Sequence, residues 1–108
     1  MKNTRLLALI LALVAVAAAE TYTGTVTDTM CGVKPHTMMK GHTDAECVRM
    51  CVKGPYVYAL RDGDTIRKLS DQKTPAKYAA QKVKVTGTFD AKSNTIKVAS
   101  IEALDGDQ

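Results

Sequence analysis

The sequence predicts one small, mainly β domain with five short strands and one or two short helices. Three observations lead to this expectation. The chain has only 108 residues, which suits a single domain. Its β-branched and apolar residues recur at alternate positions over short segments. Turn residues such as glycine, aspartate and asparagine separate those segments.

Alternating or β-branched segments place the five strands. They are expected at residues 22–27, 56–60, 65–69, 83–89 and 96–100. Gly24 inside the first segment indicates a bulge or a close approach of another backbone. Gly63, between two aspartates, predicts the hairpin turn that joins the second and third strands.

Two local signals predict helices between the strands. Thr43 and Glu46 match a capping box, and Gly54 followed by Pro55 stops the segment, so a helix is expected over residues 44–53. Thr74 followed by a proline predicts a second short helix through residue 80. Five strands with helices at these places favour an OB-like Greek-key barrel.

The N-terminal segment predicts a secretory signal peptide over residues 1–19. Lys2 and Arg5 form a basic region, an unbroken apolar run covers residues 6–16, and an Ala-Ala-Ala cleavage site precedes Glu20. Cleavage would leave residues 20–108 as a single OB-like domain, with no stable membrane span, in the periplasm or secreted.

Composition argues against nucleic-acid binding. Without Lys2 and Arg5, 13 basic residues stand against 11 acidic ones, and both signs are interspersed. The chain has one phenylalanine, four tyrosines and no tryptophan, which is little material for stacking bases.

The cysteines and histidines are concentrated in one insertion, residues 28–54. Their spacing is C-x4-H-x5-H-x4-C-x3-C, and no cysteine, histidine or methionine follows it. The candidate metal ligands are Cys31, His36, His42, Cys47 and Cys51. Thiolate and imidazole donors suit zinc in a closed four-ligand site, and they also suit copper. The sequence therefore predicts an exported domain that binds zinc or copper.

A disulfide is the alternative interpretation of the same cysteines. Export permits oxidation, so two of Cys31, Cys47 and Cys51 are candidates for a bond that staples the insertion to the helix. The protein would then be a cell-envelope binding or interaction module without a metal. Its protein or small-molecule ligand would meet a face near Tyr56 and Tyr58.

No residue pattern indicates an enzyme. The sequence has no nucleophile elbow, phosphate loop or paired-carboxylate signature. Thiol-disulfide exchange stays open, although the usual C-x2-C motif is missing. Asp28, three residues before Cys31, is a candidate for a weak metal ligand, for an acceptor that orients a ligating histidine, or for a cap on the turn.

The chain resembles a family of small exported bacterial domains whose function is uncharacterised. The resemblance covers most of residues 20–108 and is carried by the segments 24–32, 47–54, 56–60 and 82–88, together with His36 and Leu69. It implies an OB-like barrel and does not define an activity. The family's Asp-Cys-His-Cys-Cys pattern falls on Asp28, Cys31, His36, Cys47 and Cys51.

Overall fold

A computed structural model describes residues 18–32, 43–52 and 54–104. Five strands dominate this part of the chain, in agreement with the predicted fold class. The strands are β1 (Glu20–Asp28), β2 (Tyr58–Asp62), β3 (Thr65–Leu69), β4 (Lys82–Asp90) and β5 (Thr95–Ala103). The helix α1 (Asp44–Cys51) lies between β1 and β2, and a 3-10 helix (Thr74–Tyr78) lies between β3 and β4.

One continuous sheet closes on itself in the order β1-β2-β3-β5-β4. The first half of β1 pairs with β4, and its last residues pair with β2, so a single strand joins both edges. The closure is uneven, because the parallel contact between β3 and β5 contains only two residue pairs. The other strand pairs are antiparallel.

Two glycines make close strand contacts possible. A Cβ atom at Gly24 would collide with the backbone of Arg61, and one at Gly87 would collide with the backbone of Lys97. Gly87 also lies at a register shift between β4 and β5. The predicted close approach at Gly24 is therefore confirmed.

Aliphatic side chains from the strands and from α1 fill the interior. Alternate residues of β4, including Val83 and Val85, point inward, as the period of two requires. Val48 is fully buried and brings α1 against the same core. The core cluster consists of Val26, Val48, Tyr58, Leu60, Leu69, Ala79, Val83, Val85 and Ile96.

Several predicted boundaries differ from the structure by a few residues. Strand β2 starts at Tyr58 rather than at residue 56, because the Thr29 hydroxyl accepts the N–H of Val57 and ends the regular ladder. Helix α1 ends at Cys51, and Val52, which packs against the core, takes a non-helical conformation. The second helix is a 3-10 helix.

Three predictions fall partly or wholly on residues that the structure does not describe. Residues 1–17 of the predicted signal peptide, both histidines of the insertion, and the C-terminal residues 105–108 lie outside the described ranges. Among the described residues, no helix has the length and apolar character needed to span a bilayer.

Candidate metal centre

The connection between β1 and β2 carries all three cysteines of the chain. We call residues 29–57 the cysteine connection; its described parts are 29–32, 43–52 and 54–57. Cys31 lies in a turn just after β1, and Cys47 and Cys51 lie on α1. The site is therefore built from two segments that are distant in sequence.

A tight turn holds Cys31 in place. The N–H of Cys31 donates to Oδ1 of Asp28 over 2.8 Å, and the N–H of Gly32 donates to the carbonyl of Asp28 over 3.0 Å. Gly32 has a φ of +61°, a conformation that favours glycine. The Thr27 hydroxyl donates to the Gly32 carbonyl and closes the turn. As a result, the Cys31 side chain points inward and is only 8% exposed.

Helix α1 presents the other two cysteines on one face. The predicted capping box is confirmed: the Thr43 hydroxyl accepts the N–H of Glu46, and the Glu46 carboxylate accepts the N–H of Thr43. Cys47 and Cys51 are four residues apart, so their side chains lie one above the other. Arg49 donates to the carbonyl of Ala76 over 3.0 Å and ties α1 to the 3-10 helix.

The three sulfur atoms converge. Cys51 Sγ lies 3.9 Å from Cys31 Sγ and 4.0 Å from Cys47 Sγ, and all three atoms are within 4.8 Å of one another. Zinc–sulfur bonds of about 2.3 Å in a tetrahedral site place neighbouring sulfurs about 3.8 Å apart. The cluster therefore has nearly the spacing that three thiolates adopt around one metal ion.

None of the three cysteines forms a disulfide. All of them are free thiols, with Cys31 and Cys47 buried and Cys51 partly exposed. A disulfide needs a sulfur–sulfur distance of about 2.05 Å, much shorter than either contact to Cys51. The stapled arrangement that the sequence left open is therefore not the arrangement in the structure.

Burial makes two of the thiols hard to ionise. Burial raises the pKa of the Cys31 thiol to about 12, and the negative charge of Asp28 adds to the effect. Burial also raises the pKa of Cys47, and neighbouring Cys51 and Asp28 contribute. Activated nucleophilic cysteines have lowered pKa values. These two thiols thus have the opposite character, and a metal ion must displace their protons in order to bind.

The other predicted site residues have different positions. Asp28 is fully buried beside Cys31 and accepts the N–H of that residue, so it caps the turn as one of its predicted roles required. Tyr56 is 41% exposed, but Tyr58 is buried in the core. The two tyrosines therefore do not form a common exposed face, because the start of β2 turns Tyr58 inward.

Two contacts that support the site were missed at the sequence level. The Thr27 hydroxyl closes the turn around Cys31, and Thr29 ties the start of the cysteine connection to Val57 through its backbone and its hydroxyl. In the sequence, Thr27 ends the first predicted strand and Thr29 lies in the irregular segment that follows it. The partner of Thr27 is local to the turn, whereas Thr29 meets Val57 only because β2 lies beside β1.

The fold and the cluster together define a small closed-sheet domain with three converging thiols in its first connection. Comparison with known proteins adds no assignment, since no family model, curated protein or solved structure matches the chain.

Proposed function

We propose that this chain is an exported domain that binds one transition-metal ion, zinc or copper, through Cys31, Cys47 and Cys51. The observation that carries the proposal is the convergence of three sulfur atoms within 4.8 Å. Two of these cysteines are on a helix and the third, Cys31, is 16 residues before Cys47, so helical spacing alone does not bring them together.

The chemistry of the donors supports a soft or borderline metal ion. Three thiolates bind zinc or Cu(I) far better than they bind magnesium or calcium, which prefer oxygen ligands. A tetrahedral zinc site needs a fourth ligand, and we propose His36 or His42 for it. Both histidines lie between Cys31 and α1 in the sequence, outside the described residues.

The location of the cluster supports an OB-like assignment for the domain. In OB-folds the loop between the first and second strands takes part in ligand binding. The cysteine connection joins the first and second strands of this chain and therefore has the corresponding position. We propose that the domain has an OB-like Greek-key topology and belongs to the family of exported bacterial domains that it resembles. We also propose that residues 1–19 are a cleaved signal peptide, so that the domain is periplasmic or secreted.

Metal content and thiol count on the same sample test the function. The protein should be purified from cells expressing the full chain, without chelator, and analysed by mass spectrometry of the metal and by thiol titration. We expect one metal ion per chain and three unoxidised thiols that react only after the metal is removed. Absence of metal with one free thiol per chain would instead support the disulfide-stapled interaction module.

A matched pair of variants locates the ligands. Cys51→Ser should abolish stoichiometric binding of zinc and of Co²⁺, because it removes the central sulfur of the cluster. Met50→Ser changes the neighbouring, 38% exposed residue of the same helix and should retain one metal ion. Tight stoichiometric binding by Cys51→Ser would exclude the proposed ligand set.

A further inference from the structure

We infer that the negative charge of Asp28 makes the cysteine cluster bind a divalent metal ion in preference to a monovalent one. The inference rests on the proposed function and adds a specificity-determining residue to it. Asp28 is assigned this role through its fixed charge beside the thiols and not as a metal ligand.

The position of Asp28 is fixed by the sheet. It is the last residue of β1, pairs with Tyr58 of β2, and has no exposed surface. Its Oδ1 accepts the N–H of Cys31 over 2.8 Å. The carboxylate therefore keeps a constant distance from the cluster, with no freedom to turn toward solvent.

The charge of Asp28 acts on more than one cysteine. Its carboxylate accepts the N–H of Cys31, and the sulfur atom of Cys31 lies within 4.8 Å of those of Cys47 and Cys51. Charges that are buried together interact more strongly than charges on the surface, because less water screens them. Asp28 therefore influences the electrostatics of the whole cluster.

Exchange of the metal ion changes the charge that Asp28 faces. Three thiolates with Zn²⁺ carry a net charge of −1, and the same three thiolates with Cu⁺ carry −2. The additional negative charge lies close to the buried carboxylate and is repelled by it. This repulsion weakens binding of the monovalent ion relative to the divalent one. The argument holds for any fourth ligand, provided that both ions use the same ligands.

A purely structural role for Asp28 makes a different prediction. Asp28 also shapes the turn that holds Cys31, and loss of the turn would lower the affinities for both ions to a similar extent. Asp28→Asn separates the two roles, because an asparagine side-chain oxygen still accepts the N–H of Cys31 but carries no charge. The ratio of the two affinities is therefore the informative quantity.

The test measures Zn²⁺ and Cu⁺ affinities by competition with chromophoric chelators, anaerobically and at one pH. The proteins are wild type, Asp28→Asn and Asp28→Glu, expressed as the full chain. In Asp28→Asn we expect the ratio of zinc affinity to copper affinity to fall by about tenfold. Asp28→Glu keeps the charge and should stay nearer to wild type, while Asp62→Asn, in the exposed hairpin, should leave the ratio unchanged.

The outcomes separate this inference from the proposed function. If wild type binds neither ion, the proposed function fails. If wild type binds the ions and Asp28→Asn lowers both affinities by the same factor, Asp28 only shapes the turn and the inference is wrong.

A second pair of variants keeps the test informative if Asp28→Asn does not fold. Met30 is 49% exposed and adjacent to Cys31, so Met30→Lys adds a positive charge near the cluster without entering the core. It should lower the zinc-to-copper ratio relative to Met30→Gln, by less than Asp28→Asn because solvent screens it. An unchanged ratio would show that the cluster does not respond to neighbouring charge, and would overturn the inference.

Discussion

The barrel interior and the cysteine connection bury side chains for different reasons. The interior is filled by aliphatic residues that alternate along the strands. Close packing and the removal of apolar surface from water stabilise these buried side chains. In the cysteine connection the buried residues are Cys31 and Cys47, next to a buried carboxylate at the end of β1, and Val48, which packs α1 against the barrel core. Within the described ranges, the exposed large apolar side chains are Met30, Met50 and Tyr56, and all of them lie in this connection.

The difference predicts that apolar burial is the main stabilising force in the barrel and metal binding the main one in the cluster, although Val48 joins α1 to the barrel core. Apolar burial stabilises the barrel whether or not a ligand is present. The thiol cluster gains most of its stabilisation when a metal ion replaces its protons. Removal of the metal should therefore affect the connection while the sheet remains folded, and the following variants test this separation.

Truncation of the barrel core should have the largest effect on stability. Leu60→Ala removes a fully buried side chain and should lower the free energy of unfolding by about 2–5 kcal/mol. Urea unfolding should show the same loss with metal and with chelator, because Leu60 is not part of the cluster. Leu104→Ala, at a half-buried position, should cost clearly less. A much larger loss for Leu60→Ala in the metal-loaded form would show that barrel and site are coupled.

Alkaline pH should destabilise the metal-free protein through its buried thiols. The Cys31 pKa is raised from 9.0 to about 12, so folding disfavours the thiolate. The stabilisation from the protonated thiol is complete below pH 9 and is lost as the pH rises toward 12. Denaturant unfolding between pH 8 and pH 11, with chelator and reductant, should show this decline.

Cys31→Ser is the control for that decline, since lysines and tyrosines titrate in the same range. The variant should lose less stability than wild type over the same pH interval. The metal-loaded protein should show the opposite trend at lower pH, because protons compete with the ion for the thiolates. Identical alkaline profiles for wild type and Cys31→Ser would contradict the burial argument.

Loss of the helix cap should have the smallest effect. Thr43→Ala removes the hydroxyl that accepts the N–H of Glu46 and should destabilise α1 by about 1 kcal/mol. Because α1 carries two of the three cysteines, metal affinity should fall by about fivefold, measured by chelator competition. Thr43→Ser keeps the hydroxyl and should bind like wild type. An affinity loss equal to that of Cys51→Ser would mean that the helix is the main determinant of the site.

Local signals predicted the strands and the helix cap well, and they predicted element ends less well. The third strand has the expected bounds, and the capping box at Thr43 forms as expected. Strand β2 begins two residues later than predicted, where the Thr29 hydroxyl accepts the N–H of Val57. Helix α1 ends two residues earlier than predicted, where Val52 packs against the core. Both contacts depend on neighbours that are far away in the sequence.

The sequence by itself determined that this is a β-rich domain with a concentrated set of metal-binding residue types. Residue alternation, turn residues and a capping box act over a few neighbouring positions, so they can be recognised without a fold. Only the tertiary structure decided that Cys31 meets Cys47 and Cys51 as free thiols, that Asp28 is buried beside them, and that Tyr58 belongs to the core. These facts depend on the closed sheet, which places the end of β1 next to α1 and to the start of β2.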